Sequence, residues 1–160
     1  MKAILLIDHG SVREAANHML ECMAALVQTM AGPDVVVRYA HMELAGPSVA
    51  DGVAACVEAG ATEIVAFPYM LSPGKHSTRD IPRLVTEAQA AHPGVRCVVS
   101  PAFGVHDRLA EVILERAGVP VAAVATPCAC VRPAGTPEWY CGDGCRAVAT
   151  ARVEAAPSIA

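Results

Sequence analysis

Short apolar runs alternate along this chain with longer stretches in which apolar residues recur every three or four positions. The runs are Met1–Ile7, Val35–Ala40, Thr62–Phe67 and Val95–Val99. They are strand-length and show no polar alternation, the pattern of strands buried on both faces. The intervening stretches carry helical stripes: Ala16, Met19, Leu20, Met23, Val27 and Met30, then Val49, Val53, Cys56 and Val57. Ile81, Leu84, Val85 and Ala88 form a third, and Leu109, Val112 and Ile113 a fourth, within 105–117. All are predicted to face inward.

Punctuation agrees with these boundaries. Ser11 is placed to cap the first helix, with Glu14 completing a capping box. Gly46-Pro47-Ser48 opens the second, with Pro47 in its first turn. Ser77–Asp80 leads into the third, with Pro82 in the first turn, and Gly32-Pro33, Gly60, His92-Pro93-Gly94 and Gly118 close the four. Four β-α units predict an α/β fold: an open, mostly parallel sheet of four to five strands joined by right-handed crossovers, with helices on both faces, a flavodoxin-like three-layer sandwich. Val119–Ala125 is either a fifth strand or an arm packing on a partner. The expected domain is 1–125, followed by a Cys/Pro/Gly-rich tail over 126–160 whose last ten residues fray.

Composition narrows the function classes. With 160 residues, 54% hydrophobic and 18% charged, the chain can bury a core and is not of disordered type. No run approaches the roughly 18 apolar residues of a membrane span, and the first apolar run passes into His9-Gly10-Ser11 without a signal-peptide cleavage site. A net charge of −4 and 4% aromatics argue against a nucleic-acid partner. Seven cysteines, an odd number, predict a reduced cytoplasmic setting with thiols or metal ligands rather than disulfides. Cys22, Cys56 and Cys97 fall within helix or strand patterns and read as small buried hydrophobes.

The candidate chemistry lies just beyond the strands. In an open parallel sheet the strand carboxyl ends share one edge, where ligands bind. His9 follows the first strand, His41-Met42-Glu43 the second, and Gly74-Lys75-His76-Ser77-Thr78-Arg79-Asp80 the third. Two imidazoles distant in sequence can therefore meet as metal ligands or proton acceptors. The turn at Gly10 and Ser11 offers a helix N-terminus to an anionic group. His41 and Glu43 share a side if the chain stays extended. Each segment also has a plainer reading: His9 as a hydrogen-bonded structural residue, Glu43 bonding a helix terminus, and 74–80 as a solvated loop whose Asp80 caps the helix. A glycine-rich phosphate loop is missing from the first turn, which disfavours a nucleotide binder of this fold.

Three segments together carry a resemblance: Leu5-Leu6-Ile7-Asp8-His9-Gly10-Ser11 with Asn17, Glu43-Leu44-Ala45-Gly46-Pro47-Ser48, and Gly74-Lys75-His76-Ser77-Thr78-Arg79-Asp80-Ile81-Pro82. The chain resembles the small sirohydrochlorin chelatases of the class II chelatase group, collinearly from Met1 to about Gly118. That resemblance implies insertion of cobalt, iron or nickel as the divalent ion into sirohydrochlorin, with His9, Glu43 and His76 as metal ligands. It also implies a homodimer, since larger relatives carry two such halves. Imidazole and carboxylate suit a borderline divalent ion that must be released again, and neutral His9 and His76 can accept the two pyrrole protons. Ser11, Arg13, Lys75 and Arg79 are placed to meet the substrate's carboxylates. A metal-delivery protein with the same ligands but no turnover is the alternative.

Cys128, Cys130, Cys141 and Cys145 gather four thiols in the tail, spaced C-x-C and C-x₃-C. This spacing supports a Zn²⁺ or iron–sulfur site, a metal relay, or a flexible tail with incidental thiols.

Overall fold

A computed structural model describes residues 1–122. Its sheet has four parallel strands, β1 (Lys2–Asp8), β2 (Val35–His41), β3 (Glu63–Pro68) and β4 (Arg96–Val99), in the order β2-β1-β3-β4. The helices are α1 (Glu14–Ala31), α2 (Val49–Glu58), α3 (Ile81–Gln89) and α4 (Asp107–Arg116). A π-helical turn over His76–Asp80 runs directly into α3. The α/β class, the parallel order and the four-helix count match expectation.

β1 is central, and its alternate side chains feed two cores. Ala3, Leu5 and Ile7 pack with Val49, Val53 and Cys56 of α2 and Ile81 and Val85 of α3. Leu6 packs with Leu20 and Ala24 of α1 and with Val37. Burial pushes the Cys56 thiol up to about 11, which marks it as a core residue rather than a ligand. Gly52 lets α2 approach the sheet closely: a Cβ there would lie 2.7 Å from Leu5 Cδ1 and 3.0 Å from the Ala40 Cβ.

Several local expectations are corrected. Ser11 does not cap α1 through a capping box; the N-cap position is Arg13, with no side-chain cap. Asn17 ties the turn instead, its Oδ1 accepting the Ser11 N–H and its Nδ2 donating to the Ser11 carbonyl. Pro47 precedes α2 in a cis peptide, and the capping box there is formed by Ser48 and Asp51. Asp80 makes no cap bond, because Ser77–Asp80 is already helical. On α1, Met19 and Met30 are exposed and Ala24 is buried in their stead. Cys22 is exposed, not a core residue. On α4, Val112 and Ile113 face solvent, while Leu109 and Leu114 are half-buried. Residues 119–122 form no strand. The remainder of that segment, the tail and its four cysteines lie outside the described residues. No helix of the described residues is long and apolar enough to cross a membrane.

Candidate metal centre

The β1–α1 turn, the loop after β2 and the loop after β3 converge at the carboxyl edge of the sheet. Backbone bonds make the first two a unit: Met42 N–H donates to the Asp8 carbonyl and Glu43 N–H to the His9 carbonyl. Gly10, at φ +83°, permits this, because a Cβ at that position would overlap the Glu43 carbonyl oxygen. The close approach at Gly10 is thus made by the protein's own chain. Leu44 also takes a positive φ, +66°, as the loop reverses.

The chain bends from Met42 onward instead of staying extended, and His41 and Glu43 take different partners. His41 is 1% exposed, and its Nδ1 donates to Asp8 Oδ1 at 2.6 Å. The same Asp8 oxygen accepts the Gly10 N–H. Glu43 turns outward to meet His9, with Oε1 2.7 Å from His9 Nε2. The Gly10 carbonyl accepts from His9 Nδ1 at 3.2 Å.

His76 arrives from the third loop. Its ring centroid lies 5.1 Å from that of His9, the planes at 72°, so the two imidazoles do meet in space. His76 Nδ1 donates to Asp80 Oδ2 at 3.0 Å, while Arg79 Nε donates to Asp80 Oδ1. The bond from Arg79 holds the Asp80 carboxyl below its ordinary range; desolvation opposes it, and His76 and the charges of Arg79 and Lys75 assist. A carboxylate on Nδ1 leaves Nε2 as the free lone pair of His76, the usual device for orienting a metal-binding imidazole. The π-helical turn makes the His76–Asp80 pairing, with Pro82 following at the start of α3. Pro82 has no N–H to donate, and the Ile81 N–H closes the turn on the His76 carbonyl in an i→i+5 bond.

The residues proposed for substrate carboxylates sit around this rim. Arg13, Lys75 and Arg79 are exposed, although Arg79 already pairs with Asp80. Ser11 is less available, since its Oγ accepts the Arg13 N–H. The Gly10, Ser11 and Arg13 amides are all taken by side chains, so the turn offers an anion fewer free donors than its sequence implies. Among the described residues no group of three His, Cys, Asp or Glu side chains is already arranged around one ion position. A cavity of about 630 Å³ is lined by Glu14, Asn17, His18, Glu21, Tyr39 and His41, among others; His9, Glu43 and His76 are not among its walls.

Sequence reasoning missed Asp80 and Asp8 as supports of the site. The available signals were the i, i+4 spacing of His76 and Asp80 on a helix start and the Asp8-His9 adjacency at a strand end. The fold thus gathers two imidazoles and a carboxylate on the carboxyl rim of an open parallel α/β sheet, donor types that suit a borderline divalent ion. The family model CbiX matches residues 3–118. The chain belongs to the CbiX family. It is 37% identical over 113 residues to the chloroplastic sirohydrochlorin ferrochelatase of Arabidopsis thaliana, covering 71% of this chain and 50% of that one. A sirohydrochlorin cobaltochelatase of Methanococcus maripaludis is 25% identical over 142 residues, covering 73% and 98%. The solved structure of SirB from Bacillus subtilis with Fe³⁺ superimposes with a TM-score of 0.65 at 28% identity, covering 74% of this chain and 48% of SirB. The chain thus spans about half the length of the ferrochelatase and of SirB, and nearly all of the archaeal relative.

Proposed function

We propose that this chain is a sirohydrochlorin metallochelatase, a lyase-class enzyme inserting Co²⁺, Fe²⁺ or Ni²⁺ into the macrocycle with release of two pyrrole protons. The observation that carries the reading is the meeting of His9, Glu43 and His76 at the sheet edge, with Asp80 orienting His76. An ion bound at about 2.0–2.2 Å to both His9 Nε2 and Glu43 Oε1 would need their 2.7 Å contact to open only slightly. His76 Nε2 supplies the third ligand. Each imidazole, once the ion has passed to the macrocycle, accepts a pyrrole proton and returns it to solvent. Arg13, Lys75 and Arg79, with Ser11, flank the substrate's carboxylates.

His76→Ala tests this in the full chain, with metal insertion followed by the change in tetrapyrrole absorbance and the spontaneous rate subtracted. A loss of at least about tenfold is expected, on the scale of a removed metal ligand or proton acceptor. Undiminished turnover overturns the assignment. Wild-type protein that binds Co²⁺ without accelerating insertion would instead be a metal-delivery protein.

The working unit is proposed to be a homodimer, because the resemblance implies that larger relatives carry two such halves and this chain spans about half of SirB. Exposed Val112 and Ile113 on α4 give a second copy apolar surface to cover. A cytoplasmic location fits its free thiols. The tail cysteines Cys128, Cys130, Cys141 and Cys145 are proposed to hold Zn²⁺ or an iron–sulfur cluster, and anaerobically purified protein free of both metals would remove that site.

A further inference from the structure

One cluster of metal-binding side chains lies outside the rim and has no part in the mechanism above. On the exposed side of α1, His18, Glu21 and Cys22 stand at i, i+3 and i+4, the spacings that bring helix side chains together. Glu21 Oε2 accepts from His18 Nδ1 at 2.9 Å. Cys22 Sγ lies 3.5 Å from His18 Nε2. The carboxylate therefore fixes the ring with its Nε2 lone pair turned to the sulfur.

The 3.5 Å separation, that of a thiol hydrogen bond from Cys22 to His18, also suits a shared ion. A tetrahedral ion bound at about 2.0–2.1 Å to nitrogen and about 2.3 Å to sulfur holds those atoms about 3.5 Å apart. No rotamer change is needed for both to reach one ion. Glu21 supplies the carboxylate–imidazole contact that typically supports a metal-binding histidine. The site is also accessible: the His18 side chain is 67% exposed and Cys22 is exposed. His18 and Glu21, with Glu14, line the cavity of about 630 Å³, so a hydrated cation approaches an acidic wall.

We propose that His18 Nε2 and Cys22 Sγ form a second, exchangeable site for a borderline divalent cation such as Zn²⁺ or Co²⁺ on α1. The Cys22 thiol proton leaves to solvent as the thiolate–metal bond forms, and water completes the coordination. With two protein ligands and open access, the site exchanges its ion readily. It is separate from the rim and does not depend on the chelatase reading.

The test uses the full-length protein under anaerobic, reducing-agent-free conditions, with Zn²⁺ as probe and iodoacetamide as thiol reagent. The tryptic peptide Glu14–Arg38 contains Cys22 and no other cysteine, so mass spectrometry reads its alkylation separately from the tail thiols. At free Zn²⁺ about ten times the dissociation constant, alkylation of Cys22 should slow about tenfold. His18→Ala should lose most of this protection, whereas His76→Ala should keep it. An unchanged Cys22 rate with Zn²⁺ overturns the proposal. So does protection that survives His18→Ala undiminished, or protection that His76→Ala abolishes.

Discussion

The Asp80 carboxylate receives Arg79 Nε–H on one oxygen and His76 Nδ1–H on the other. Because its folded-state affinity for protons lies below the ordinary value, the group contributes stability above the ordinary carboxylate range, near pH 4. That contribution is lost only as pH falls through its lowered folded-state value. Its hold on His76 therefore persists throughout mildly acidic and neutral conditions. Asp80→Asn should lower metal insertion about 10–100-fold, the usual effect of removing an outer-shell carboxylate, with the far-ultraviolet circular dichroism unchanged. An Asn variant as active as the parent would show that His76 needs no orienting partner. At the same scale, His9 and His76 were legible in the sequence because each follows a strand. Asp80 was not, because a capping and an orienting carboxylate look alike until the helix start is seen. Cys22 was misread because lying within a helical segment does not by itself place a residue on the face of α1 that meets the sheet.

Among the elements, α2 and α3 behave as their patterns require and α4 does not. α2 buries Val49, Val53 and Cys56, and α3 buries Ile81, Val85 and Ala88. α4 buries no side chain fully, since β4 is a sheet edge with no fifth strand described beyond it. Gly52 separates propensity from packing. Intrinsic preference would make Gly52→Ala stabilising by about 1 kcal/mol within a helix. The 2.7 Å approach to Leu5 Cδ1 and 3.0 Å to the Ala40 Cβ reverse that sign, since overpacking costs about 1–3 kcal/mol. Denaturant unfolding of the variant should show a lower midpoint with an unchanged slope. A higher midpoint would mean that α2 can shift outward freely. The π-helical turn was equally hidden: Pro82 was read correctly near the start of α3, but the i→i+5 closure that places His76 depends on how the loop after β3 joins it.

For the molecule as a whole, length is the decisive quantity. The chain matches about half of SirB and nearly the whole of the archaeal relative, and apolar side chains of α4 are exposed among the described residues. Light scattering coupled to size-exclusion chromatography should therefore return twice the 16.6 kDa chain mass. A monomer at concentrations where metal insertion is observed would remove the dimer from the proposed mechanism.

The sequence by itself determined the strands, three of the four inward helical faces in outline, the parallel class and the two imidazoles at one rim. These follow from local periodicity and from the rule that parallel strands end together. Tertiary structure alone decided that His41 is buried against Asp8, that Gly10 makes room for Glu43, and that Asp80 serves His76. It likewise decided that Cys22 faces water beside His18. Each of these rests on contacts between loops or on the orientation of a helix over the sheet, and such contacts leave no mark in the spacing of residues along a single segment.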